Sequence, residues 1–476
     1  MIAGINELQM VIETARGSLV GWARCGVVLP IGWAVWLTLV VACRPVPAEQ
    51  PLDTADLAVG ELEVDSWIET VIGDVLADYV HLHQHPELSF HERETAQFLA
   101  KRWRTYGYDV TEQVGGWGVV GIMENGDGPT VMLRADMDAL PVKEATGLPF
   151  ASEKVFTGED GATVGVMHAC GHDVHMANLL GVAKILAEHR DRWQGRLMLV
   201  GQPAEERGAG ARAMLQDGLF DRFGRPDFAI ALHCESETET GKVALSPGFS
   251  LANVDSVDII VRGRGGHGSR PETTVDPIVQ AADLILDLQT IVSREIKPQE
   301  PAVITVGAIH GGTKHNVIGD ACHLQLTVRS YSEEVRQQLL SAIRRKALAV
   351  AQSHRAPAPE ILVSEGTPAL RNDPELTARL TKVFSQVLGK DAVLPMPPVM
   401  GGEDFSRYGL AGVPIVMYRL GVVAPDRLQG YRQRGLQPPS LHSPQFYPDA
   451  EPALRTGMKT MTAAVLDLLA RQSHQD

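Results

Sequence analysis

From about Asp65 onward, short apolar runs of strand length alternate with longer runs whose apolar residues recur near every 3.6 positions. This alternation is the strongest constraint on the fold, because strands interleaved with helices are the signature of an α/β architecture. TVMLRA (130–135), RLMLVG (196–201), FAIALH (228–233) and PIVMYRL (414–420) read as buried strands. HERETAQFLAKRW (91–103) and MANLLGVAKILAEH (176–189) read as helices.

Residues 256–364 break the pattern. They run strand (VDIIVRG), helix (PIVQAADLILDLQTIVSRE), strand (AVITVGAI), strand (HLQLTVRSY), helix (EEVRQQLLSAIRRKALAVAQS) and short strand (EILVS). That βαββαβ order predicts a ferredoxin-like unit inserted into the first domain, since α/β patterning resumes after Pro368. The expected division is a leader and tether over 1–64, a catalytic domain over 65–250 and 366–476, and the inserted domain over 251–365. The chain is acidic, with 43 Lys and Arg against 58 Asp and Glu, a formal charge of −15. With no basic run, it is a poor partner for nucleic acid. Its five scattered cysteines do not form a disulfide scaffold.

The segment Cys25–Ala42 carries no charge and follows Arg16 and Arg24, which matches the basic and apolar regions of an export signal. It ends Val40-Val41-Ala42-Cys43, which resembles a bacterial lipobox, and a Pro-rich stretch follows that suits a flexible tether. A lipoprotein signal acylated at Cys43, an uncleaved membrane anchor or ordinary export signal, and a buried helix are the three readings, because eighteen apolar residues lie near the spanning minimum. The first two place the working part of the chain outside the cytoplasm, with membrane contact only through this segment.

Chemistry gathers just after the predicted strands, where open α/β sheets place ligands. In LRADMDALP (133–141), Asp136 and Asp138 lie two apart and share one side of an extended segment. In MHACGHDVHMAN (167–178), Cys170 and His172 form a compact donor pair suited to zinc or a similar ion, with His168, Asp173 and His175 in the same turn. A lone histidine is more often a half-buried structural residue; three of them with a cysteine and an aspartate in eight residues argue otherwise. GQPAEE (201–206) places Glu205 and Glu206 at a strand exit. An acidic helix start would explain them alone, but beside the Cys/His cluster one carboxylate can bind metal while the other acts as base. His233, at the end of FAIALH, could equally cap the sheet, and His442, in SLHSPQF, could equally be a solvated loop residue.

Together these motifs resemble the M20 metallopeptidase family, specifically its amidohydrolase branch of hippurate, N-acyl-amino-acid and auxin-conjugate hydrolases. The likeness runs from about Tyr79 to Phe446 and includes HQHPELSFHERET (83–95), GRGGHGSRPE (263–272), HNVIGD (315–320) and GGEDFS (401–406). It implies a catalytic domain interrupted by a lid or dimerisation domain, and a homodimer formed through that lid. It implies that Cys170, His172, Glu206, His233 and His442 hold two divalent ions, zinc first and manganese, cobalt or nickel as alternatives. Glu205 would be the general base, Asp138 a supporting catalytic carboxylate, and His267 and Asn316 substrate-binding residues of the lid.

Two departures stand out. The wider family has His-x-Asp-x-x-Pro where this chain reads Asp136-Met137-Asp138-Ala139-Leu140-Pro141, so Asp136 is not expected as a ligand. The branch's GGHAAxP turn is here Gly265-Gly266-His267-Gly268-Ser269-Arg270-Pro271. The implied activity is metal-dependent hydrolysis of an N-acyl amino acid. Dipeptidase or carboxypeptidase action on the same scaffold is the alternative, and a tethered binding protein without catalysis is the third reading.

Overall fold

The computed structural model describes residues 54–159 and 161–471, so Cys25–Ala42 and Cys43 lie outside the described residues. Its main sheet has eight strands in the order Asp109–Val114, Gly118–Asn125, Gly195–Gln202, Thr130–Asp136, Phe228–Glu239, Ile415–Val423, Val243–Ala244, Val393–Leu394. The middle four run parallel, and the first two pair antiparallel at one edge. Ile415–Val423 is buried along its whole length and Thr130–Asp136 nearly so. Both faces of the sheet are covered, which is why these strands read as unbroken apolar runs. One face carries Thr54–Gln84, His172–Glu188 and Ala450–Leu468, packed around Val71, Leu180, Leu232 and Met458. On the other face, Met132, Met198, Ala231 and Met417 pack with Met214, Phe405 and Tyr408.

The insertion forms a second sheet in the order Ala302–Gly311, Ala321–Ser330, Asn253–Arg262, Glu360–Glu365, all antiparallel. With helices Pro277–Arg294 and Glu333–Ser353 it encloses its own core around Ile259, Leu284, Leu324 and Leu339. In chain order the sheet runs second, third, first, fourth strand, which is the ferredoxin-like arrangement. Both helix starts are set locally: Asp276 and Ser332 cap them by accepting backbone N–H bonds, and Pro277 occupies the first turn.

The tether is a correction. Thr54–Glu61, expected as flexible chain, is already helical and continues to Gln84. No proline follows Pro51 in that stretch, and buried Val64, Ile68, Val71, Val75, Tyr79 and Leu82 recur every three or four residues against the first face. Among the described residues no helix is long and apolar enough to cross a membrane.

Candidate metal centre

The site forms where strands end. After Thr130–Asp136 the chain turns inward, and the buried Asp138 carboxylate accepts the Ser89 hydroxyl at 2.6 Å. The same carboxylate accepts the backbone N–H groups of Glu205 at 3.1 Å and Glu206 at 3.0 Å. Asp138 thus fixes the two glutamates rather than facing the cleft. Ala204, at φ +50°, holds a strained left-handed turn just before them, and its N–H donates to Glu92 at 2.7 Å.

The turn His168–Gly171 leads into helix His172–Glu188. Gly171 sits at φ +82°, and a Cβ there would come within 2.7 Å of the Cys234 sulfur, so only glycine fits. That turn delivers Cys170 and His172 side by side.

Hydrogen bonds sort the histidines. His172 Nδ1–H donates to the Asp138 carbonyl at 2.8 Å, while its buried Nε2 has no hydrogen-bond partner and lies 3.8 Å from Glu206 and 3.9 Å from Glu205. His233 Nδ1–H donates to the Cys234 carbonyl at 2.9 Å, leaving Nε2 3.6 Å from the Cys170 sulfur. His442 Nε2 stands 3.3 Å from that sulfur and 3.6 Å from Glu206. A ring held through one nitrogen with the other free toward a shared space is the pattern of a metal ligand. His175 is different: Nδ1–H donates to Asp136 at 2.6 Å and Nε2 accepts the Cys234 N–H at 2.9 Å, so both nitrogens are used. Ligand atoms of Cys170, His172 and His233, of Cys170, Glu206 and His442, and of His172, Glu205 and Glu206 each lie within 4.8 Å of one another. All five expected ligands therefore converge.

Electrostatics show what this donor set lacks. Burial, and then Glu403 and Glu206, push the Glu205 carboxyl well above the usual range. Burial raises Glu206 to about 7, against the pull of His172. Burial and then Glu206 push the Cys170 thiol well up. Carboxyls pushed up by burial and by one another, beside a His172 ring that burial would depress but Asp136, Asp138 and Glu206 hold at about 10, make a site short of positive charge. Divalent cations fit it.

Asp136 belongs to a neighbouring network. Arg134, fully buried, donates to Asp136 at 2.5 Å, Gln202 at 3.0 Å, Glu403 at 2.8 Å and Asp404 at 3.3 Å. Burial alone would raise Asp136, but Arg134 and then His172 and His175 hold it well below the carboxylate range. Glu403 and Asp404 share the Arg134 guanidinium with Asp136. Sequence reasoning passed over Arg134, and likewise His83, whose ring bridges Asp173 at 2.7 Å and Glu144 at 3.2 Å. His267 and Asn316 are brought together on an exposed ribbon, Gly266–His267 with Val317–Ile318, but do not line the cleft above the ligands. Cys170, Cys234 and Cys322 are free thiols.

The model of peptidase family M20/M25/M40 matches residues 132–467. The chain belongs to this family. A hippurate hydrolase of Campylobacter jejuni is 39% identical over 328 residues, covering 68% of this chain and 82% of that protein. Thermostable carboxypeptidase 1 of Saccharolobus solfataricus is 37% identical over 363 residues, covering 75% of this chain and 86% of that one. Among solved structures, a dinuclear metal-binding M20 peptidase of Bacillus subtilis superposes with a TM-score of 0.68 at 27% identity, covering 84% of this chain and 99% of that chain. This M20 chain falls in the amidohydrolase branch and is a metal-dependent amidohydrolase.

Proposed function

We propose that the protein hydrolyses the amide bond of N-acyl amino acids, releasing a carboxylic acid and an amino acid. The observation that carries the chemistry is the pair Glu205–Glu206, both fixed by Asp138 and both within 4 Å of the unpartnered His172 nitrogen. Support for the substrate class is the likeness to a hippurate hydrolase.

In this reading Cys170, His172, Glu206, His233 and His442 hold two divalent ions, with zinc preferred and manganese, cobalt or nickel as alternatives. Such ions would polarise the amide carbonyl and lower the pKa of water to ~7. Glu205 takes the proton of the attacking water and passes it to the leaving amine, a role for which its raised proton affinity suits it. Asp138 keeps Glu205 and Glu206 in place, and the carbonyls of Asp138 and Cys234 hold the rings of His172 and His233. His267 and Asn316, on the exposed ribbon outside this cleft, would meet substrate only across the pairing of two copies proposed below.

The test is turnover of the full chain, loaded with each metal, on matched N-acyl amino acids and dipeptides. Preference for the acylated series supports the reading. Preference for dipeptides favours the alternative peptidase reading, to which the carboxypeptidase likeness points. We further propose that two copies pair through the four-stranded sheet, whose edge strand Ala302–Gly311 leaves Ile309 half exposed. On the sequence of Cys25–Cys43 alone, we propose an extracytoplasmic enzyme tethered through Cys43 or an uncleaved anchor.

A further inference from the structure

The cleft over the metal ligands encloses about 730 Å³ and is lined by Cys170, His233 and His442 on the main-sheet side and by Ser256 and Arg329 on the insertion side. Arg419 also lines it. This arginine lies in the fully buried strand Ile415–Val423, directly opposite His233 in parallel register, so the two side chains leave the sheet on the same side. Arg419 is only 7% exposed, yet among the described residues no hydrogen bond or ion pair engages its guanidinium. Glu235 shares the cleft but makes no ion pair with it. Arg134 shows the contrast, since its guanidinium, in a side chain wholly shut off from the cleft, is bound by three carboxylates and an amide. A guanidinium at the end of a largely buried side chain, opening into a ligand cleft with no counter-charge of its own, finds that counter-charge on a ligand. Arg329 is a second cation across the same cleft, its guanidinium tied to the Met400 carbonyl at 2.5 Å and the Thr327 hydroxyl at 3.2 Å but to no carboxylate. Two separated cations in one cleft match two separated anionic groups.

We infer that Arg419 is a specificity-determining residue that selects substrates bearing a second carboxylate besides the α-carboxylate of the amino acid. Arginine presents a planar fork suited to a carboxylate, and a neutral isostere leaves that fork unsatisfied. The second carboxylate can stand on the acyl group or on the amino-acid side chain. The inference rests on the amide-hydrolase reading above and deepens it.

The experiment uses the metal-loaded full chain and two matched pairs: N-succinyl-alanine against N-butyryl-alanine, and N-acetyl-glutamate against N-acetyl-glutamine. The expected result is a preference of roughly tenfold or more in kcat/KM for the acid member of one pair, and that pair identifies where the carboxylate stands. In Arg419→Met, and to a lesser degree Arg419→Lys, the acid-to-neutral ratio falls toward one. An arginine that served only to keep His233 neutral for metal binding would alter both members alike and leave the ratio in place. Calorimetric binding of glutarate and butyrate to the same proteins reads the site without turnover, so it decides the matter even if no amide is cleaved. Glutarate should bind more tightly than butyrate, with the difference lost in Arg419→Met. Equal handling of acid and neutral members by the wild type, or a preference that survives in a folded Arg419→Met, overturns the inference. If Arg419→Met does not fold, Arg419→Lys decides together with the wild type: equal handling of acid and neutral members by the wild type, or an acid preference undiminished in Arg419→Lys, overturns the inference.

Discussion

Arg134 gives the sharpest prediction about what holds the site together. Arg134→Met removes one guanidinium from Asp136, Glu403, Asp404 and Gln202, all fully or almost fully buried. Deleting one partner of a buried ion pair costs ~3–5 kcal/mol, because the surviving charge is left without compensation. Three carboxylates share this cation, but their losses do not add. Asp136 keeps His175, Glu403 keeps the Phe405 N–H, and Asp404 keeps the Gln202 amide and the Ala211 N–H. We therefore expect a destabilisation of ~4 kcal/mol, with Arg134→Lys between the variant and the wild type because an ammonium cannot reach all four partners. The assay is equilibrium urea unfolding of the metal-free protein at pH 7, followed by circular dichroism and by fluorescence of the buried Trp103 and Trp193. Metal is removed because ions bound to the native state alone would add a linkage term that masks the difference. An Arg134→Met protein within ~0.5 kcal/mol of wild type, the range of an ordinary surface change, would refute this account of the network.

Three further predictions follow the same logic. Burial would depress His83, but its bonds to Asp173 and Glu144 outweigh that and hold it at about 10. Its stabilising contribution is then complete below the unfolded value of ~6.5 and lost as pH rises toward about 10, so the stability gap between wild type and His83→Gln should shrink between those pH values, and a constant gap in urea titrations would contradict it. Gly171→Ala should lower metal content without unfolding the chain, since its Cβ would press on Cys234 and displace the Cys170–His172 turn; elemental analysis at unchanged circular dichroism checks this. Glu205→Gln should keep its metal and lose ~10²–10⁴-fold in turnover, and retention of full activity would remove Glu205 from the proton-transfer role.

The five converging ligands were legible because each sits in a short motif with unusual local chemistry: a Cys/His turn, paired glutamates, or a histidine at a strand or in a loop. The insertion was legible to its helix ends because Asp276, Pro277 and Ser332 are local signals. Arg134 and His83 were not, because their meaning lies in partners far along the chain: Arg134 meets Glu403 some 270 positions away, and His83 meets Asp173. Nothing in LRADMDALP or HQHPE announces such pairing. Strand Phe228–Glu239 ran past the expected end at His233 because its polar continuation, Cys-Glu-Ser-Glu-Thr-Glu, carries no apolar run to mark it. The resemblance led to His267 and Asn316 as substrate residues, and the fold places both on an exposed ribbon outside the cleft.

Anomalous diffraction from crystals of the active, metal-loaded protein, recorded at the absorption edge of the bound element, bears most directly on the whole account. Two peaks enclosed by Cys170, His172, Glu206, His233 and His442 are expected. Peaks elsewhere, or an active enzyme with no ion among these side chains, would contradict it.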